Sequence, residues 1–318
     1  MKYLVTGGAG FIGSNLCRRL LSNGHKVACL DDLSTGKMSN IEALTNNSSF
    51  EFFGHDLTKP FFIDQIDAIF NLACPASPVH YQYNPIRTLK MGTLAMYNVL
   101  GMASRHKVPI LQASTSEIYG DPSIHPQTES YLGNVNPIGP RACYDEGKRV
   151  AEALCVAYEE HNKVEVRIAR IFNTYGPFMD PHDGRVVSNF IVQALKNDPI
   201  TVYGDGTQTR SLCFVDDLVD GLISLMSSDY KRPVNLGNPD EYSMLEFAKI
   251  IKDMTSSNSE IIFKELPIDD PKQRCPDINL AMKELNWSPK ISLDEGIKKT
   301  INWFKECLQK NRDLLKND

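Results

Sequence analysis

Short apolar runs alternate along the chain with longer stretches in which apolar residues recur every three or four positions, and this rhythm predicts strands and helices in turn. Lys2–Thr6 reads as a buried strand, and Leu16, Leu20 and Leu21 place a helix over Ser14–Leu21. Further strands are expected at Lys26–Leu30, Phe50–Gly54, Asp67–Ala73, Val108–Ala113 and Val164–Ile171. Asn84–His106 predicts one long helix, with Ile86, Leu89, Leu94, Tyr97, Val99 and Leu100 among its apolar positions, and a second helix opens at Arg141 and runs to about His161. Beyond these the pattern gives a helix over Val187–Leu195 and strands at Ile200–Tyr203, Pro233–Gly237 and Glu260–Leu266. Ser243-x-x-Glu246 is a capping box, and Ser292-x-x-Glu295 opens a last helix whose stripe of Leu293, Ile297, Ile301, Phe304 and Leu308 faces a core. The polar tail after Lys310 is expected to fray. Strands alternating with helices predict an α/β protein with a parallel sheet.

The first turn says what the sheet carries. Gly7, Gly10 and Gly13 stand at GxxGxxG spacing between a strand and a helix. That is the geometry in which a pyrophosphate meets the unpaired N–H groups and positive dipole end of a helix. Glycine is needed because a Cβ would hold the backbone away from the phosphate. The second strand ends in Asp31 and Asp32, with Asp31 18 residues past Gly13. A carboxylate there accepts hydrogen bonds from ribose hydroxyls and repels a 2′-phosphate, which favours NAD over NADP. The expectation is therefore a Rossmann-type doubly wound sheet in residues 1–175. A strand near 233–237 returns to it, and residues 176–318 mainly form a smaller α/β substrate domain. Asp56, after the third strand, is either a loop residue at the adenine end or a turn cap.

Composition narrows the classes without choosing among them. At 318 residues, 42% hydrophobic and 23% charged, the chain is ordinary for a soluble globular protein. A net charge of −5 gives no electrostatic case for nucleic acid, although a local basic pocket for an anionic small molecule remains compatible with it. The eight cysteines are scattered with no CxxC, and the seven histidines have no partner at metal-binding spacing, so no metal is expected. Reduced thiols, the absence of a membrane-length apolar run and a strand that starts at the second residue make a cytosolic protein the expectation.

The fifth strand delivers Ser114-Thr115-Ser116-Glu117, and the helix after Arg141 carries Tyr144 and Lys148 four apart, on one face. A cation beside a phenol favours the phenolate and makes tyrosine a usable base. Cys74-Pro75-Ala76-Ser77-Pro78 forms a proline-broken loop where the fourth strand ends, a position at which ligands sit in such sheets.

GxxGxxG, the Ser/Thr strand end and Y-x-x-x-K together resemble the extended short-chain dehydrogenase/reductase superfamily. Tyr144-Asp145-Glu146-Gly147-Lys148-Arg149, Asp183-Gly184-Arg185-Val186-Val187-Ser188-Asn189-Phe190, Ser116–Pro122, Asn136–Arg141, Arg170–Pro177 and Gly204–Arg210 are similar to the UDP-glucuronate decarboxylases of that superfamily. The likeness runs from Met1 to about Phe304. Phe178, where Arg is commoner, and Cys213 are mild departures.

The resemblance implies conversion of UDP-glucuronate to UDP-xylose through a UDP-4-keto intermediate. Oxidation at C4 makes a β-keto acid, so that loss of CO2 leaves an enolate. Tyr144 would be the base, held with the nicotinamide ribose by Lys148, while Thr115 or Ser116 bonds the C4 oxygen. Glu117 and Arg274, the latter in Gln273-Arg274-Cys275-Pro276-Asp277, would attend CO2 loss, and a water or acid there would protonate C5. Around the cofactor the resemblance implies Gly7, Gly10, Phe11, Ile12, Gly13, Asp31, Asp32, Thr35, Gly36, Asp56, Leu57, Leu72, Ala73, Thr93, Ser114, Tyr144 and Lys148. Around the UDP-sugar it implies Pro75, Tyr81, Lys90, Glu117, Asn173, Arg185, Val187, Tyr203, Arg210 and Arg274, the arginines Arg185 and Arg210 matching phosphate or uridine with their forked donors. It also implies a homodimer through helices around 92–104 and 145–160. A nucleotide-sugar 4-epimerase or 4,6-dehydratase shares the opening oxidation, and a non-catalytic NAD-sensing or scaffold protein could share the fold.

Overall fold

The computed structural model describes residues 1–266 and 273–314, with side chains to residue 309. Its centre is a seven-stranded parallel sheet. Six of its strands are β1 (Lys2–Thr6), β2 (Lys26–Asp31), β3 (Phe50–Gly54), β4 (Ala68–Asn71), β5 (Ile110–Thr115) and β6 (Val166–Ile171). With the strand Val234–Leu236 on the far side of β6, the order across the sheet is Val234–Leu236, β6, β5, β4, β1, β2, β3.

Alternation along each strand puts successive side chains on opposite faces, and both faces are covered. Leu4, Ala28, Ile69, Ile110 and Ile168 pack on one side against Met96, Val99 and Leu100. Val5, Cys29, Phe70, Leu111 and Ala169 pack on the other against Leu16, Leu20 and Leu222. All of these are essentially excluded from water, which is why the strands read as continuous apolar runs. After β1 the chain builds outward on one side as β2 and β3, then crosses to start the other side at β4. The switch point lies between β1 and β4, whose Leu4 and Ile69 are paired.

The stretch expected as one helix from Asn84 to His106 is interrupted. It runs as an α-helix over Pro85–Lys90, a π turn over Met91–Ala95 and an α-helix over Met96–His106. The first piece is capped by the Asn84 side chain, which accepts from the Arg87 N–H. The π turn lies where this helix crosses the helix Ala142–Asn162 most closely: a Cβ on Gly92 would fall 2.3 Å from the Gly147 carbonyl oxygen.

After β6 the chain forms smaller sheets. Ile200–Tyr203 pairs with Ile261–Lys264, a shorter strand than the Glu260–Leu266 expected. Glu241–Ser243, Thr209–Ser211 and Gln273–Arg274 make a three-stranded sheet. The capping box forms as expected, with the Ser243 hydroxyl accepting from the Glu246 N–H and the Glu246 carboxylate accepting from the Ser243 N–H. The last helix spans Leu293–Leu314, four residues past the point where fraying is expected, and residues 315–318 lie outside the described residues. Among the described residues no helix is long and apolar enough to cross a membrane.

Candidate active site

A groove of about 930 Å³ runs over the C-terminal ends of β1, β2, β4, β5 and β6. At one end lies the glycine turn. Gly7 has φ +68°, and a Cβ on Gly13 would stand 2.1 Å from the Gly7 carbonyl oxygen, so only glycine lets strand and helix close here. The helix that follows, α1 (Phe11–Ser22), has no side-chain cap and no acidic residue in its first turn, which leaves its N-terminal N–H groups to meet an anion. Asp31, buried at the tip of β2, accepts from the Ala9 N–H at 3.0 Å and the Leu33 N–H at 2.9 Å. Thr35, Leu57, Leu72 and Ala73 line the same wall. An anion cradle beside a carboxylate at a strand tip fits a dinucleotide, whose residues would be these.

Gly36 sits behind Asp31, where a Cβ would press on the carboxylate at 2.9 Å. Arg87 pairs with Asp32 and approaches Asp56, which also holds the Thr58 hydroxyl and N–H; this agrees with Asp56 as a turn residue. Gly36, Asp56, Lys90 and Thr93 are not brought to the groove wall. Lys90 is on an exposed helix face, and the Thr93 hydroxyl turns back to the Leu89 carbonyl at 2.8 Å, while Met91 in the same π turn reaches the groove.

The middle of the groove gathers Thr115, Ser116, Glu117, Tyr144, Lys148 and Arg274. Tyr144 lies nearly parallel to Tyr81, ring centroids 5.1 Å apart. Burial, then Cys74 and Glu117, push the Tyr144 phenol well above its ordinary value, against a hydrogen bond from Thr115 that works the other way. The expectation that Lys148 depresses this pKa is corrected. Lys148 Nζ donates to the Ala113 carbonyl at 2.7 Å and stands 5.8 Å from the Tyr144 ring centroid, and burial dominates. Ser114 lines the groove as well, its hydroxyl donating to Glu152, which clamps Arg170.

Glu117 sits between two guanidiniums, those of Arg141 and Arg274. Burial alone would raise its pKa, but Arg274 and then Arg141 outweigh burial and hold it at about 2, so the carboxylate is ionised at neutral pH. Arg274 is among the most buried side chains described, its Nη2 donates to the Gly120 carbonyl at 3.1 Å, and its Nε has no partner. Next to Tyr144, burial and then Glu117 raise Asp145 to about 7, and its Oδ1 is buried without a partner. Neither Arg141 nor Asp145 was assigned a role from sequence. The usable signal was their place one turn before and one residue after Tyr144.

At the far end Pro75, Tyr81, Asn173, Val187, Tyr203 and Arg210 line the groove with Arg185. Arg185 is engaged by Asp183 through both carboxylate oxygens, at 2.6 and 3.0 Å, and Arg210 donates to the Thr209 carbonyl at 2.8 Å.

A doubly wound sheet with a glycine turn and a Tyr–Lys pair facing a Ser/Thr strand end defines a short-chain dehydrogenase/reductase with room for a nucleotide sugar. The GDP-mannose 4,6 dehydratase family model matches residues 4–300. UDP-glucuronic acid decarboxylase 1 of Xenopus tropicalis is 53% identical over 97% of this chain and 73% of its own length. UDP-glucuronic acid decarboxylase 6 of Arabidopsis thaliana is 52% identical over 93% of this chain and 87% of its own. Among solved structures, a UDP-glucuronic acid 4-epimerase from Bacillus cereus, in complex with UDP-glucuronic acid and NAD, superposes with a TM-score of 0.87 at 28% identity, covering 96% of this chain and all of that one. The chain belongs to the UDP-glucuronic acid decarboxylase family, within that wider dehydratase and epimerase group.

Proposed function

We propose that this chain is an NAD-dependent UDP-glucuronate decarboxylase that yields UDP-xylose, with Glu117 held between Arg141 and Arg274 beside Tyr144 as the observation that carries the reading. A glucuronate carboxyl cannot leave while the electrons it would release onto C5 have no acceptor. A ketone at C4 supplies one, as an enolate. When bound, NAD+ supplies the redox step, accepting the C4 hydride and returning it after CO2 has gone.

The chain's own residues do the rest. Tyr144 takes the proton of the C4 hydroxyl, with the Thr115 hydroxyl, already bonded to the phenol, holding the same oxygen. Lys148, one turn along the helix, keeps positive charge near the phenol and orients the nicotinamide ribose. Arg274, buried and with an unused Nε donor, offers positive charge to the enolate. Glu117 is ionised, so it fixes the two arginines and accepts rather than donates, and the proton for C5 comes from a water held there. Arg185 and Arg210 take the diphosphate and uridine end. Residues 1–175 with the strand near 233–237 hold the cofactor, and residues 176–318 mainly hold the nucleotide sugar.

The exposed apolar side chains of Leu94, Tyr97 and Val150, on the helices around 92–104 and 145–160, support a homodimer through those helices. None of the eight cysteines is joined in a disulfide, as suits a reducing cytoplasm.

The 4-epimerase reading draws on the solved relative. An epimerase has less use for a carboxylate and two arginines beside the sugar acid, and a 4,6-dehydratase would be expected to carry Asp where Ser116 stands. A pure NAD sensor has no need of Tyr144, Lys148 and Thr115. Incubation of the purified protein with UDP-glucuronate separates these: CO2 with a UDP-pentose supports the decarboxylase, and a UDP-hexuronate epimer with no CO2 replaces it. Release of a UDP-4-keto-pentose with accumulating NADH would remove the return step.

A further inference from the structure

On the far side of the Arg274 strand, the fold gathers three side chains that their sequence positions do not connect. His125 Nε2 lies 2.8 Å from Glu241 Oε2, and the Cys275 thiol completes a trio whose ligand atoms all fall within 4.8 Å of one another. Spacing along the sequence, on which no metal was expected, does not reveal this cluster. We propose that His125, Glu241 and Cys275 form a binding site for a divalent zinc-like cation.

Imidazole nitrogen, carboxylate oxygen and thiolate sulfur are the donor types zinc takes, with ligand atoms about 3.5 Å apart around a tetrahedral ion, and a water fills the fourth position. Small side-chain rotations bring the trio from its present separations to that spacing. The surroundings support each ligand. The second oxygen of Glu241 accepts from the Thr209 hydroxyl at 2.6 Å, which fixes the carboxylate's orientation. The Cys275 N–H donates to Gln127 Oε1 at 2.9 Å and its carbonyl accepts from the Gln127 N–H at 2.8 Å, so the loop that carries His125 is laced to the segment that carries the thiol. Binding of the cation displaces the Cys275 thiol proton to solvent. The site is distinct from the groove: none of the three residues lines it. It ties together the three segments that back Arg274, and it does not rest on the decarboxylase reading.

The test is titration of the chelator-treated full-length protein with Co2+ alone, followed by competition with Zn2+. Wild type is expected to bind one Co2+ per chain with tetrahedral visible bands and a thiolate-to-cobalt charge-transfer band, all of which Zn2+ removes. Cys275→Ser is expected to lose the charge-transfer band. The His125 side chain is more than a third exposed, so His125→Ala is expected to fold as wild type does and to weaken binding by about tenfold or more, since even outer-sphere partners are worth that much. No saturable band in wild type, or equal binding in wild type and His125→Ala, overturns the proposal. So does a charge-transfer band that survives in Cys275→Ser.

Discussion

Glu117→Gln tests the charge arrangement at the centre of the groove. The substitution keeps size and one acceptor oxygen but removes the anion shared by Arg141 and Arg274, whose side chains are only 14% and 2% exposed. Removing one partner of a buried ion pair costs about 3–5 kcal/mol, because the remaining charge stays buried without compensation. Here two cations are left facing each other, while the glutamine oxygen still accepts from one of them. A loss of about 3 kcal/mol follows, a large share of a typical total of about 5–15 kcal/mol. Urea unfolding of the full chain reads it.

Glu117→Gln/Arg274→Met also removes one of the two facing cations, the more deeply buried Arg274. It is therefore expected to be less destabilised than the sum of the two single variants by more than about 0.5 kcal/mol, the margin within which independent sites add. The pH dependence has a definite sign. The folded pKa of Glu117 is depressed, to about 2, so its contribution is present above the unfolded carboxylate value and is lost as pH falls toward 2. The gap between wild type and Glu117→Gln should therefore narrow on acidification through that window. A single variant within about 1 kcal/mol of wild type at neutral pH, or strict additivity in the double, refutes the clamp as described.

Tyr144→Phe is expected to lower turnover by about 10²–10⁴-fold while leaving NAD binding intact, checked by product formation and cofactor titration. Because burial raises the phenol's pKa, kcat/KM of the wild type should climb with pH across about 6–9, and a flat profile would remove Tyr144 as the base. Gly13→Ala puts a methyl group 2.1 Å from the Gly7 carbonyl oxygen and should weaken NAD binding by at least about tenfold, measured by calorimetry; unchanged affinity would move the cofactor elsewhere. Asp145, raised in the folded state to about 7, stabilises below its unfolded pKa and loses that contribution as pH rises toward 7. Wild type should accordingly lose stability relative to Asp145→Asn between about pH 4 and 7, read by denaturant unfolding at several pH values.

Much of this was legible because it is local. β1, the glycine turn and α1 are contiguous, and Asp31 ends the next strand, so the geometry of that end of the groove followed from periodicity and spacing. Tyr144 and Lys148 share a helix face for the same reason. What escaped depends on contacts between distant segments. The π turn at Met91–Ala95 appears where Gly92 meets Gly147, and no pattern within 84–106 announces it. The phenol's pKa is set by burial against Tyr81 and Cys74 more than by the lysine four residues on. Arg141 and Asp145 acquire their character from burial and from Glu117, which the end of β5 delivers from 24 residues before Arg141. His125, Glu241 and Cys275 come from three segments far apart in the chain, so no local pattern joins them.

The most direct measurement uses UDP-glucuronate carrying deuterium at C4 and labelled carbon in the carboxyl group, incubated with cofactor-loaded protein. The account predicts that the labelled carbon leaves as CO2 while the deuterium is found at C4 of the UDP-pentose. A pentose whose C4 deuterium has been lost to water, or a nucleotide sugar that keeps its labelled carboxyl after prolonged incubation, would contradict it.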